Sequence, residues 1–186
     1  LGSRIGIAVG CGINPHYGDL DPYRMAAAAV DEAVRNVIAV GADPAHIALL
    51  DNFCWGNTDR PEVLGSLVRA AEACRDAALA YGIPFICGKD SLHTQFTTPA
   101  PGEVLRIPNT LLISDISVLA DVRKCITMDL KYTDSRLLLI KAKNSADLKS
   151  LANLHQQMAA ALATGHVLSC HDVSDGGPAV AAAEMA

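Results

Sequence analysis

The run His46-Ile47-Ala48-Leu49-Leu50, passing into Asp51-Asn52-Phe53-Cys54-Trp55-Gly56-Asn57 and then Pro61, decides the fold. A short apolar run closed by polar turn residues predicts a buried strand over residues 46–50 and a loop over 51–60. Pro61 opens a helix, because at the first helical position proline gives up only an N–H that has no intrahelical partner. That helix is expected to end near Tyr81-Gly82. Strand, polar loop and helix in succession are the repeating unit of an α/β protein.

The same alternation extends in both directions. Residues 4–9 predict a short strand, followed by an irregular segment over 10–19. Asp21-Pro22 caps and starts a helix that runs to about Val40, with Gly41 as a left-handed stop. Downstream, residues 84–87 predict a strand, 88–91 a loop, and 109–119 a long strand. The pattern turns polar over 127–135, where a domain boundary is placed, giving domains 1–134 and 135–186. The second unit is expected to hold a buried strand over 136–142, an amphipathic helix over 147–163 and a short strand over 167–170. The closing motif Ser169-Cys170-His171-Asp172-Val173-Ser174-Asp175-Gly176-Gly177-Pro178 then leads into an Ala-rich helix. The chain ends within that helix, without a Gly, Asn or Lys-rich finish, which suggests truncation.

Composition narrows the function. Of 186 residues 51% are hydrophobic, enough for a sizeable core, and 15 basic against 20 acidic residues give a net charge of −5. No basic cluster exceeds Arg123-Lys124, which argues against a nucleic-acid groove. No apolar run approaches the ~20 residues that span a bilayer, and Leu1-Gly2-Ser3-Arg4 is not a signal peptide, so a cytoplasmic protein without membrane contact is expected. The six cysteines form no Cys-x-x-Cys pair and are expected to be mostly reduced core thiols. Among the six histidines only His171 has neighbours that suggest a role.

Several polar sets could carry chemistry. Glu32 and Asn36 lie four apart on the first long helix and share a face. They are either oxygen ligands for a hard cation such as Mg²⁺ or a solvated stripe. Asp51 follows a strand, where ligands gather in α/β sheets, or it simply closes a turn. Gly88-Lys89-Asp90-Ser91 offers backbone N–H groups, an ammonium and a hydroxyl to a phosphate. The closing motif combines two carboxylates, a hydroxyl and a glycine pair before a helix start, either a metal-phosphate site or a well-capped turn. Neither a Walker-type phosphate loop nor a Gly-x-Ser-x-Gly elbow occurs.

In order along the chain, Asp21-Pro22-Tyr23, Glu32-Ala33-Val34-Arg35-Asn36, Asp51-Asn52-Phe53 with Gly56-Asn57, Gly88-Lys89-Asp90-Ser91 and His171-Asp172-Val173-Ser174-Asp175-Gly176-Gly177 resemble the phosphoribosylformylglycinamidine synthase family. The resemblance is to the second half of that enzyme. It implies a PurM-like α/β (α+β) architecture: an N-terminal module with a mixed sheet flanked by helices, which pairs with a twin to close a β-barrel, and then a truncated start of an α+β C-terminal module. It implies an ATP-dependent ligase of purine biosynthesis that makes formylglycinamidine ribonucleotide from formylglycinamide ribonucleotide and glutamine. ATP activates the substrate amide oxygen as a phosphate ester, and ammonia displaces it.

Residue by residue, the resemblance implies Mg²⁺ ligation by Glu32, Asn36 and Asp172, nucleotide contacts (ATP or ADP) from Ser174, Asp51 and Gly88, and a substrate contact from Ser91. The partners implied are the first half of the synthase and a glutaminase, with a homodimer of the fragment as a further expectation. The isolated fragment is expected to be inactive, with no catalytic acid or base of its own. Two departures stand out. Lys89 stands where the shorter form has an Asn, and no acidic residue stands near Gly10-Cys11, where the longer form has a metal-binding Asp. Related readings are a non-catalytic nucleotide-holding and dimerisation module, or another PurM-like enzyme such as aminoimidazole ribonucleotide synthase, selenophosphate synthetase or thiamine phosphate kinase.

Overall fold

The computed structural model describes residues 2–100 and 102–186. Its centre is a four-stranded mixed sheet built from β1 (Gly6–Ile13), β2 (Ile47–Cys54), β3 (Phe85–Ser91) and the later long strand β6 (Thr110–Leu119). The order is β1-β6-β2-β3, with β6 antiparallel to both neighbours and β2 parallel to β3. Between β3 and β6 the chain makes a separate antiparallel hairpin, β4 (Gln95–Thr97) with β5 (Val104–Arg106). This is the mixed-sheet α/β architecture expected from the sequence.

A four-residue helical turn α1 (Pro15–Gly18) leads into α2 (Pro22–Ala39), whose Asp21 cap accepts from the Tyr23 N–H at 2.9 Å. Gly41 stops that helix at φ +103, a left-handed conformation that glycine adopts without steric cost. The other long helix, α3 (Pro61–Tyr81), ends in the same way at Gly82. Both lie on one face of the sheet. Ala26, Ala29 and Ala33 of α2 and Ala70, Ala73 and Ala77 of α3 are fully buried, so small side chains let the helices pack closely on each other and on the strands. Trp55 is completely enclosed and donates its indole N–H to Ser66 Oγ at 2.9 Å, so burial of the ring leaves no unsatisfied donor.

The opposite face of the sheet is open and apolar. Ile7, Val9 and Ile13 of β1 and Val118 of β6 are 63%, 72%, 45% and 56% exposed. They alternate with the inward row, as the two-residue strand period requires.

After β6, α4 (Leu148–Ala163), capped by Asp147, packs on α2 and α3 through Leu151, His155 and Leu162. α5 (Gly177–Met185) is tied to the 127–130 segment: the Leu130 N–H donates to the Met185 carbonyl and the Cys170 N–H to the Thr127 carbonyl.

The structure corrects several expectations. β1 runs on through Ile13 rather than stopping at residue 9, and β2 and β3 absorb residues 51–54 and 88–91, expected as loops. The reason is the ladder: residues 51–54 pair with 88–91 and with 110–113, so polar residues keep extended backbone. Residues 136–142 form no strand, and Leu137, Leu138, Leu139 and Ile140 are 57%, 73%, 59% and 51% exposed, because no described strand offers them a ladder. Residues 167–170 are likewise not a strand. Only Cys74 among the cysteines is buried, while Cys11 and Cys87 are exposed on the open side of the structure.

Candidate functional site

β1 meets α2 over glycines. A Cβ at Gly12 would sit 2.1 Å from the Ala29 carbonyl oxygen and 2.9 Å from Glu32 Cβ. A Cβ at Gly10 would sit 2.9 Å from both the Ala33 carbonyl and Asn36 Cβ. Only glycine lets the strand approach the helix this closely.

The carboxylate and amide expected on α2 therefore lie against the end of β1. Glu32 Oε2 accepts from the Ile13 N–H at 2.9 Å and from Asn14 Nδ2 at 2.8 Å. Asn36 Nδ2 donates to the Cys11 carbonyl at 2.9 Å and to the Glu32 carbonyl at 3.1 Å. With its N–H₂ group spent on carbonyls, the Asn36 amide has its oxygen as the atom for a further partner, and an amide oxygen is a hard-cation ligand. Glu32 and Asn36 thus fit a divalent cation chemically.

The closing loop reaches the same helix. Arg35 Nη1 contacts Asp172 Oδ2 at 3.3 Å and donates to the Val173 carbonyl at 2.6 Å, while Arg35 Nε donates to Asp31 Oδ2 at 2.8 Å. Asp172 Oδ1 also lies 3.2 Å from His171 Nδ1, and His171 Nε2 lies 3.1 Å from Glu184 Oε2. Ser174 is exposed beyond this anchor, and its carbonyl accepts the Gly177 N–H. Glu32, Arg35 and Asn36 fall within about one turn of α2, so two segments some 140 residues apart converge there. Among the described residues no three His, Cys, Asp or Glu side chains close on a single point.

Arg35 belongs to a network that the sequence reading missed. Tyr81 Oη donates to Asp31 Oδ1 at 3.1 Å, and His155 Nε2 lies 3.0 Å from the same oxygen, outside the alignment of a hydrogen bond. Burial raises the Asp31 carboxyl, but His155 and the Arg35 charge more than offset this and hold it below the usual range. The four-residue spacing of Asp31 and Arg35 was the one local signal. His155 gave none, since only tertiary packing brings it to Asp31.

Asp51, Gly88 and Ser91 form a second set at the β2–β3 pair. Asp51 is opposite Gly88 in the parallel ladder, and a Cβ at Gly88 would fall 2.3 Å from Asp51 Oδ1, so glycine makes room for the carboxylate. Burial, and then the neighbouring Asp90, raise the Asp51 carboxyl. Burial, with Asp51 adding to it, pushes the Cys74 thiol up to about 12. Ser91 lies three positions along from Gly88 and so on the other face of the sheet, where Lys89 Nζ donates to its Oγ at 2.6 Å. The strand alternation separates Ser91 from the Asp51–Gly88 pair.

A further acid stands in the inward row of β6. Asp115 and Ser117 are both 1% exposed, and neither Asp115 oxygen nor Ser117 Oγ has a hydrogen-bond partner among the described residues. Burial pushes the Asp115 carboxyl up to about 7. None of the seven expected site residues lines the cleft that runs between the Gly41–Ala45 turn, Lys131, Tyr132 and α4.

Comparison with known proteins matches residues 1–103 to the AIR synthase related protein N-terminal domain and 117–186 to its C-terminal domain. The phosphoribosylformylglycinamidine synthase subunit PurL of Thermomicrobium roseum is 34% identical over 203 residues, covering 98% of this chain and 27% of that protein. The subunit PurL of Deinococcus radiodurans is 34% identical over 211 residues, covering 100% and 28%. The chain therefore spans about a quarter of the length of these relatives. Thermotoga maritima PurL shares the fold: its complexes with ATP and with FGAR each superpose with a TM-score of 0.69 at 15% identity over 97% of this chain, and 29% and 31% of those chains. PurLQS of the same organism gives 0.55 at 22% identity over 66% of this chain and 19% of that one.

Proposed function

The chain belongs to the AIR synthase related family, and on that premise we propose that it is one portion of a phosphoribosylformylglycinamidine synthase, contributing a Mg²⁺-nucleotide site to the ATP-dependent amidination of formylglycinamide ribonucleotide. The observation that supports this reading is the docking of the closing loop on α2, where Asp172 and the Val173 carbonyl both contact Arg35, the residue between Glu32 and Asn36 in the sequence of that helix. Identity of 34% to PurL subunits along the whole chain supports the substrate class.

In this reading Glu32, Asn36 and Asp172 hold Mg²⁺ and Ser174 touches the nucleotide. Bound Mg-ATP supplies a phosphoryl group that activates the substrate amide oxygen. This chain's own part is to position: the Ile13 N–H and Asn14 fix the Glu32 carboxylate, and Arg35 fixes the loop that carries Asp172 and Ser174. Asp51 and Gly88 serve a second nucleotide contact, and Ser91 contacts substrate from the open face.

Residues 1–134 act as the N-terminal module, whose open sheet face covers a twin module from the rest of the synthase, and 135–186 begin the C-terminal module. Exposed Ile7, Val9, Ile13 and Val118 support that pairing. A glutaminase supplies ammonia to the assembled enzyme, which works in the cytoplasm. Among the described residues no helix is long and apolar enough to cross a membrane. Turnover requires the rest of the synthase.

A second reading, that the nucleotide is held and not consumed, draws on Asp172 already being paired with Arg35 and His171. Calorimetric titration with Mg-ADP tests both. Glu32→Ala and Asp172→Ala are each expected to weaken binding at least tenfold, and unchanged affinity in both removes these residues from the site. Hydrolysis of Mg-ATP by the reassembled synthase, lost in the same variants, separates turnover from holding.

A further inference from the structure

The inward row of β6 contains an anomaly. A carboxylate 1% exposed, with no side-chain partner among the described residues and only the Gly10 and Asp115 backbone N–H groups near it, outside good hydrogen-bond geometry, is costly, since a buried polar group left poorly paired loses its hydration without full compensation. Asp115 is such a group, and its position is specific. It is the ladder partner of Gly10, and its Oδ1 lies 2.6 Å from where a Gly10 Cβ would be, while Asn36 Cβ lies 2.9 Å from the same point. The Asp115 carboxylate therefore fills the space that a side chain at Gly10 would occupy, beside the amide whose oxygen is available to a cation.

We propose that Asp115 is a carboxylate ligand of the divalent cation held by α2, reaching from β6 into the space left by Gly10 to meet Asn36. This inference rests on the Mg²⁺-nucleotide reading and adds a residue to it. Mg²⁺ keeps waters and phosphate oxygens and takes few oxygens from protein, and Asp172 is already paired with Arg35 and His171, so Asp115 adds a carboxylate without a side-chain partner to Glu32 and the Asn36 amide. Gly10 and Asn36 are only half-buried, and Gly10 lies in the edge strand β1, which leaves an approach to the carboxylate from the edge of the sheet. A cation there gives both oxygens a charged partner that no side chain among the described residues supplies.

The test uses the whole chain with Mn²⁺ and ADP, read by calorimetry and by the electron paramagnetic resonance of free Mn²⁺. Asp115→Ala and Asp115→Asn are expected to weaken Mn²⁺ binding at least tenfold, a loss comparable to that of Glu32→Ala. Without cation, Asp115→Ala is expected to melt no lower than the parent, so lost binding is not lost folding.

Tight Mn²⁺ binding in the parent and its loss in Glu32→Ala, with Asp115→Ala and Asp115→Asn unchanged, overturns this inference and leaves the α2 site standing. No Mn²⁺-ADP binding by the folded parent chain overturns both.

Discussion

Arg35 on α2 contacts Asp172 in the closing loop, Nη1 to Oδ2 at 3.3 Å, while its Nε holds Asp31 one turn back on its own helix. A single guanidinium thereby pairs two carboxylates that are 6% and 13% exposed, and donates to the Val173 carbonyl as well. Its fork of donors is what allows three partners at once.

Arg35→Ala is expected to lower unfolding free energy by about 3 kcal/mol, because it leaves two largely buried carboxylates without their cation. Arg35→Lys recovers only part, since an ammonium does not reach all three acceptors in that geometry. Chemical denaturation measures the loss, and limited proteolysis reports release of residues 171–176. A variant as stable and as protected as the parent contradicts the anchoring role.

Asp115 makes stability depend on pH. Its carboxyl titrates near 7 when folded and about 4 when unfolded, so between these values the native state holds a proton that the unfolded chain has released. Stability is greatest below about pH 4 with respect to this group and falls as pH rises through 7, by a few kcal/mol at most. Asp31, held low when folded, acts in the opposite sense: its contribution is present above the unfolded value and is lost as pH falls through the folded one. Denaturation in cation-free buffer from pH 4 to 8 measures the slope, and Asp115→Asn is expected to flatten it.

Two glycines should respond differently to alanine. At Gly12 the new Cβ meets the Ala29 carbonyl oxygen at 2.1 Å, a backbone atom that cannot step aside, so Gly12→Ala is expected to cost about 3 kcal/mol. At Gly88 it meets the Asp51 carboxylate, which can rotate away. Gly88→Ala is therefore expected to cost under about 1 kcal/mol while displacing Asp51, and nucleotide affinity shows whether that position matters.

The open sheet face predicts a split between stability and association. Val9→Asp places a charge at a position 72% exposed and is expected to change stability by no more than about 0.5 kcal/mol. If the face covers a twin module, the same substitution prevents association with the remaining synthase. Sedimentation velocity of the mixture reads the complex directly, and complex formation by Val9→Asp removes this face from the interface.

The helices and their ends were readable locally. Asp21-Pro22, Pro61, Gly41 and Gly82 act within a turn of where they stand, through a side-chain cap, a fixed φ or a left-handed stop. Strand ends were not readable, because Asp51 and Gly88-Lys89-Asp90-Ser91 are polar yet extended, held by hydrogen bonds to strands remote in sequence. The error at residues 136–142 is the mirror image: an apolar run reads as a strand whether or not a ladder partner exists.

The same division holds for the site. Glu32 and Asn36 follow from helical spacing, a one-dimensional rule, whereas the Arg35–Asp172 contact, the His155 approach to Asp31 and the insertion of Asp115 beside Gly10 have no local cause. The alternation of an α/β chain and the residues that share a helix face are written in the order of the amino acids, because they depend on backbone geometry over a few residues. Which charges meet, and which carboxylate lacks a side-chain partner, is set by the packed fold, because burial and pairing energies depend on neighbours that come from distant parts of the chain.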